Sequence, residues 1–450
     1  MERTAYQKLL EWKGKKNRKP LVLNGARQVG KTWLLKEFGS KEFETFAYIN
    51  CDDTPEMKVS FSDFDTERLI RVFSSVSGIE IQSQKTLIVL DEVQEVPLAL
   101  TSLKCFCENA SEYYIAFAGS LLGIGFHEGT GFPVGKVEEI NLYPLSFEEF
   151  CKALDRTRLV EQVREHRWDE LSSLLHTFIE LLRQYYYVGG MPAVVKDYCE
   201  NQNLQTVRDI QNQILADYKR DFSKHVPKDI LPKVNIVWDS IPSQLAKENK
   251  KFVYSAIKRG GRAKEFENAI QWLMDAGLIY KVLRVTKIEK PLKFYEDFAA
   301  FKLFVVDLGL LGAMVQVSAK DVLVNNKAFT EYKGSFTEQY VLQELVTLNK
   351  NVYYYSKENS TLEIDFIIQN DDVYPIEVKA EENLRSKSLQ SVYNSNPDLK
   401  PCRFSMANYR QQDWLTNVPL YLVREWIKEK ENRNALEDFI NSPIVFMDED

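Results

Sequence analysis

The chain has 450 residues, of which 44% are apolar and 27% charged, and a formal net charge of −7. That length exceeds one ordinary core and implies two or three domains, while the negative balance excludes a molecule that attracts polyanions over its whole surface. Six cysteines are too sparse for a disulfide framework and read as reduced thiols, and Cys105/Cys107 have the wrong spacing for a zinc knuckle or redox pair.

The opening Met1-Glu2-Arg3-Thr4-Ala5-Tyr6 has no signal-peptide core. Residues 1–36 carry ten Lys/Arg against two acids, and residues 243–293 carry twelve against five. Such segments either meet phosphates or are solvated helix faces. Leu21-Val22-Leu23 reads as a buried strand and leads into Gly25-Ala26-Arg27-Gln28-Val29-Gly30-Lys31-Thr32, after which Leu34, Leu35 and Phe38 recur at helical spacing. A Gly-x-x-x-x-Gly-Lys-Thr turn between strand and helix lets backbone N–H groups cradle phosphates at the positive end of the helix. Lys31 would then meet the β- and γ-phosphates of ATP, and Thr32 would offer its hydroxyl to Mg²⁺.

The apolar strand from Thr86 to Leu90 ends in Asp91 and Glu92. Asp91 would hold Mg²⁺ and Glu92 would polarise the attacking water, the lesser reading being a helix N-cap. Thr45 to Asn50, Tyr113 to Ala118 and Val137 to Leu142 read as further strands. The expectation is an α/β fold of the P-loop NTPase type, a parallel sheet with flanking helices. Ser120 closes the Tyr113 strand and either senses the γ-phosphate or is a turn serine. Gly123 to Gly131 is expected to form a mobile loop near the nucleotide.

From Phe150 to about Asp229 the pattern is helical, broken at Gly189-Gly190-Met191-Pro192. A short helix at Pro242 to Ala246, a longer one from Arg262 to Ala276 and two β-like segments, Leu278 to Val285 and Leu292 to Tyr295, follow the order of a winged helix. Lys258, Arg259, Arg262 and Lys264 stand at the start of its second helix. They either contact nucleic-acid phosphates there or belong to a module that packs beside the first domain. Phe301 to Val317 is the longest apolar run, but Lys302 and Asp307 interrupt it and it is short for a bilayer. A cytoplasmic protein without a membrane span is expected.

Farther on, Thr361 to Ile368 and Tyr374 to Lys379 read as neighbouring strands. Asp365 followed by Glu377-Val378-Lys379 resembles the PD-(D/E)xK nuclease core, with Glu338 on the helix Phe336 to Leu348 as the preceding acid. Period-two geometry puts Glu377 and Lys379 on one strand face. Asp365 and Glu377 would share Mg²⁺ while Lys379 stabilises charge or positions water; otherwise Glu377 and Lys379 are a solvated structural pair.

Asn24 to Thr32, Leu90-Asp91-Glu92-Val93-Gln94, Ala118-Gly119-Ser120 and Leu142-Tyr143-Pro144-Leu145-Ser146-Phe147-Glu148-Glu149-Phe150 together resemble prokaryotic AAA-like ATPases of the AAA+ superfamily. Those proteins carry a C-terminal domain of unknown function, whose markers Tyr187-Val188-Gly189-Gly190-Met191-Pro192 and Val306-Asp307-Leu308-Gly309-Leu310 match. Where they often have Gly-Arg ahead of Pro-Leu-Ser-Phe, this chain reads Gly135-Lys136, and lysine lacks the bidentate fork of arginine. Arg27 is the other candidate cation.

The resemblance implies ATP binding and a winged helix. The expected layout is a P-loop ATPase domain over 1–150, a helical and winged-helix domain over 151–300 and a nuclease-like domain over 301–450. Such a chain would hydrolyse ATP and couple nucleotide state to the nuclease-like domain on DNA or RNA. Alternatively it is a switch or scaffold that binds a protein partner without cutting. A homo-oligomer is open to either.

Overall fold

A computed structural model describes residues 1–120, 134–165, 168, 170–247, 250–324, 327–357, 360–380 and 385–431, with backbone only at 324 and 327–332. The Gly-rich stretch expected near the nucleotide, Gly123 to Gly131, lies outside these residues. Five parallel strands form the first sheet: β1 (Leu21–Asn24), β2 (Thr45–Asn50), β3 (Thr86–Asp91), β4 (Tyr114–Ala118) and β5 (Glu138–Asn141). Their order is β2-β3-β4-β1-β5, so β4 is inserted between the loop-bearing strand and the acidic one.

The alternation of side chains explains why both faces need cover. Leu21, Leu23, Leu87, Val89, Ala116 and Ala118 join one apolar cluster, while Val22, Ile88, Leu90, Ile115 and Phe117 join another. The second cluster is closed by helices Thr66–Ser77 and Pro97–Asn109 through Phe73, Leu103 and Phe106. The first is much larger and continues through the rest of the chain, to Ile427.

The middle of the chain is helical: Phe147–Ala153, Thr157–Arg164, Leu175–Val188, Pro192–Asn201, Leu204–His225, Leu231–Leu245 and Ala263–Asp275. Ser146 and Glu149 form a reciprocal capping box at the first of these. The short helix expected at Pro242 is the last part of Leu231–Leu245, which carries Pro242 in its interior.

The remaining strands are β6 (Ile279–Val285), β7 (Glu296–Val305), β8 (Tyr353–Ser356), β9 (Glu363–Gln369), β10 (Val373–Val378), β11 (Cys402–Ser405), β12 (Arg410–Gln411) and β13 (Thr416–Pro419). They form one mixed sheet in the order β12-β13-β11-β10-β9-β8-β6-β7. This corrects the expected wing. Leu292–Tyr295 is a 3₁₀ turn, and β6 pairs with β7 on one side and β8 on the other. The hairpin is therefore part of the C-terminal sheet, and the boundary expected at residue 300 falls inside β7. All six cysteines are free, and no helix among the described residues is long and apolar enough to cross a membrane.

Three sequence markers meet in one buried junction. The Asp307 carboxylate accepts N–H bonds from Gly190 (2.7 Å) and Leu310 (3.0 Å). Leu145 N–H donates to Gly190 O at 2.6 Å, and Tyr185 OH donates to Leu145 O at 2.5 Å. Burial pushes the Asp307 carboxyl up from 3.8 to about 6, despite amide bonds that favour the anion. A carboxyl raised on folding contributes fully below its unfolded value and loses that contribution as pH climbs through the folded one. Against Asp307→Asn, the wild type should thus lose about 2 kcal/mol as pH rises from 4 to 7. Urea unfolding of both proteins checks this; a wild type that gains on the variant over that range would reverse the assignment.

Candidate nucleotide site

The phosphate loop takes its shape from β1 and the helix Lys31–Glu42. Gly25 has φ +149°, and a Cβ there would lie 2.2 Å from Leu142 O at the end of β5. Gly30 caps the helix at φ +94°, and Gln28 also lies in the left-handed region at +68°. Lys31 is almost fully buried and donates to Gly25 O (2.7 Å) and Ala26 O (2.9 Å). Burial lowers its pKa to about 8, opposed by the charges of Glu92 and Asp91.

Asp91 closes β3, buried, where it meets the loop. Thr32 Oγ1 donates to its Oδ2 at 2.5 Å, and Tyr48 OH from β2 donates to the same oxygen at 3.0 Å. Glu92 follows in a left-handed conformation, φ +52°, and its Oε2 accepts from Gln94 Nε2 at 2.5 Å. A non-glycine residue held there next to a catalytic candidate is backbone strain at a site. Ser120, buried at the end of β4, lines with Asn24, Gly25, Ala26 and Asn141 a cavity of about 300 Å³ roofed by Asp275, Gly277 and Tyr280. The structure therefore brings Lys31, Thr32, Asp91, Glu92 and Ser120 to one end of the sheet.

The loop is also held from outside. Arg27 forms an ion pair with Asp221, Gln28 Nε2 donates to Asp217 Oδ2 at 3.0 Å, and Tyr218 OH donates to Arg27 O at 3.0 Å. All three partners lie on the helix Leu204–His225. Val29 O accepts from Arg3 Nη1 at 3.0 Å. Sequence reasoning missed Tyr48, Asp217, Tyr218 and Asp221. Nothing local marks them, because their meaning comes from contacts 43 and about 190 residues away. Lys136 is paired with Glu108 at 2.9 Å on the surface.

The C-terminal acids are each held by a lysine or a backbone amide. Glu338, buried on the helix Lys327–Thr347, pairs with Lys250. Lys302, fully buried on β7, donates to Glu363 Oε1 at 2.6 Å and feels the charges of Glu338 and Asp365. Asp365 Oδ2 accepts Val378 N–H at 2.8 Å, and burial, with the nearby Glu338, pushes its carboxyl up to about 7. Glu377 faces Lys379 at 2.8 Å. The acids Glu338 and Asp365 thus share two lysines. Among the described residues, no three His, Cys, Asp or Glu side chains are grouped to hold a metal ion. Lys258, Arg259, Arg262 and Lys264 are exposed, with Lys258 paired to Glu265 at 2.9 Å.

Residues 17–151 match the family model described as an AAA domain. The parallel sheet and the glycine loop just described lie within that stretch. Residues 179–321 and 333–423 match two domains of unknown function, DUF8612 and DUF4143. No curated protein matches the chain.

Among solved structures, the Walker-type ATPase PABY2304 of Pyrococcus abyssi is similar at 14% identity over 70% of this chain and 95% of its own, with a TM-score of 0.42. The ORC1 protein of Aeropyrum pernix in complex with DNA is similar at 15%, over 69% and 91%, with a TM-score of 0.31. The RuvB Holliday junction branch migration motor of Thermotoga maritima is similar at 14%, over 64% and 90%, with a TM-score of 0.29.

Proposed function

We propose that this protein binds ATP with Mg²⁺ and hydrolyses it, using the cycle to reposition its C-terminal domain. The observation that carries the reading is the convergence of Lys31, Thr32 and Asp91 at the mouth of a loop whose Gly25 leaves no room for a side chain. Backbone amides and the start of the helix Lys31–Glu42 suit a polyphosphate. The Lys31 ammonium would pass from the Gly25 and Ala26 carbonyls to the β- and γ-phosphates. Thr32 and Asp91 fit Mg²⁺, one hydroxyl and one carboxylate oxygen already within hydrogen-bond reach of each other. Bound there, the ion would neutralise charge on the transferred group. Glu92 would orient and polarise the water, and Ser120 would meet the terminal phosphate.

The test is calorimetric ATP titration with and without Mg²⁺, together with phosphate release. Glu92→Gln is expected to keep ATP affinity and lose turnover by on the order of 10²–10³-fold, as for removal of one preorganised catalytic group. Equal turnover in both proteins, or no Mg²⁺-dependent affinity in the wild type, sinks the reading.

A second reading, a nuclease-like domain acting on DNA or RNA, is favoured by the closeness of Glu338 to Asp365 and by the exposed Lys258, Arg259, Arg262 and Lys264. Lys250 and Lys302 weigh against a divalent ion between those acids, so docking of a protein partner is preferred for this domain. Cleavage with Mg²⁺ or Mn²⁺ that disappears in Asp365→Ala and Lys379→Ala would reverse that preference.

A further inference from the structure

We propose that Arg27 is an exchangeable cation: Asp221 holds it in the structure, and the terminal phosphate of ATP takes it over, loosening one end of the helix Leu204–His225. The inference rests on the reading of the loop as an ATP site and adds to it a regulatory contact.

Arg27 is the third residue of the phosphate loop. Its guanidinium pairs with Asp221, yet it also lies within electrostatic reach of Glu92 and of Lys31. Those two groups flank the place where a terminal phosphate and its attacking water would lie, so bound ATP offers the guanidinium a second anion to turn to. The Arg27 side chain is 42% exposed, so water competes with Asp221, itself 15% exposed, for its guanidinium. A phosphate offers more charge and pairs of oxygens that suit the planar guanidinium fork. Asp217 lies one turn before Asp221, on the same helix face. Its bond from Gln28, and the Tyr218 bond to Arg27 O, make the loop and this helix one unit while Arg27 stays on Asp221.

The helix then has somewhere to send the change. Nearer its start, Gln211 Nε2 donates to Tyr187 O (2.8 Å) and Val188 O (2.9 Å), beside the Gly190–Asp307 junction. Arg208 Nη2 donates to Val317 O at 2.8 Å, past the helix Leu308–Met314. At its end, Lys224 pairs with Glu95, just after the acidic strand, at 3.2 Å. One 22-residue helix therefore touches the phosphate loop, the segment after Glu92 and the junction with the C-terminal sheet. An event at Arg27 acts first on the end that carries Asp221 and Lys224.

The experiment measures Mg²⁺-ATP and Mg²⁺-ADP binding to full-length wild type, Asp221→Asn, Arg27→Gln and the double variant. Hydrogen exchange over 217–225 is followed alongside, with melting curves to confirm folding. Asp221→Asn should tighten ATP by about 3- to 10-fold through removal of a competing charge, and leave ADP within about twofold. Arg27→Gln should weaken ATP selectively, and Asp221→Asn should have no effect in its background. Exchange over 217–225 should rise with ATP and not with ADP. Equal effects on both nucleotides, an Asp221→Asn effect that survives in the double variant, or exchange unchanged by ATP overturns the proposal. A wild type that binds ATP while the variants behave alike removes only this exchange. A wild type that binds neither nucleotide removes the ATP reading as well.

Discussion

Lys31→Ala protein is expected to lose ATP turnover by on the order of 10²–10³-fold while melting at the same temperature as wild type or above it. Lys31 is only 7% exposed, and its two protein partners are loop carbonyls rather than a carboxylate. Burial has already pulled its pKa down to about 8, so the folded chain holds this charge at a cost. Removing it relieves that desolvation and takes away the only loop ammonium aimed at a polyphosphate tail. A loss of function joined to unchanged or improved stability separates a ligand-binding lysine from a structural one. Phosphate release and thermal melts of the two proteins decide it. Turnover within a few-fold of wild type, or a large drop in melting temperature, would make Lys31 a packing residue.

The second large effect is structural. Gly190→Ala should destabilise the protein by about 4 kcal/mol or more, at the upper end for a single substitution. Its backbone φ is ordinary, so the cost is steric. A Cβ there would stand 2.2 Å from Leu145 O and 2.8 Å from Leu145 N. Those are main-chain atoms that cannot swing aside. Leu145 is pinned by its own N–H bond to Gly190 O and by Tyr185 OH, while Gly190 N–H is committed to buried Asp307. Relief of the clash would break at least one of these bonds and strand a buried polar group. Soluble yield and the urea midpoint are the measurements. A loss below about 1 kcal/mol would mean that the junction opens freely.

Local order was readable in the sequence wherever the physics is local. The strand, glycine loop and Lys31-Thr32 helix start needed only neighbouring residues, and so did the apolar strand ending in Asp91 and Glu92. The junction markers were visible as strings, but their meeting through Asp307 and Gly190 was not. The sequence starts a short helix at Pro242, yet that residue sits inside a longer one buried along Val234, Val237, Trp238 and Ile241. Packing overrode the local preference. Leu292–Tyr295 is short and apolar, a pattern that does not separate a strand from a tight turn. The run from Phe301 to Val317 hid two elements, the end of β7 and a helix capped by Asp307. In the C-terminal region Glu338, Asp365, Glu377 and Lys379 were each found, but Lys250 and Lys302 were invisible as partners because only tertiary packing brings them there.

The way the large sheet is threaded bears on how this protein can be taken apart. Its edge hairpin comes from upstream of every residue that resembled a nuclease. An expression clone beginning at residue 301 would therefore amputate β6 and half of β7. The backbone of Tyr353–Ser356, which pairs with β6, would become an open flank rich in tyrosine. Such a fragment would recruit copies of itself, and its silence in an assay would report clumping rather than chemistry. The C-terminal unit has to be cut ahead of Ile279 or left attached.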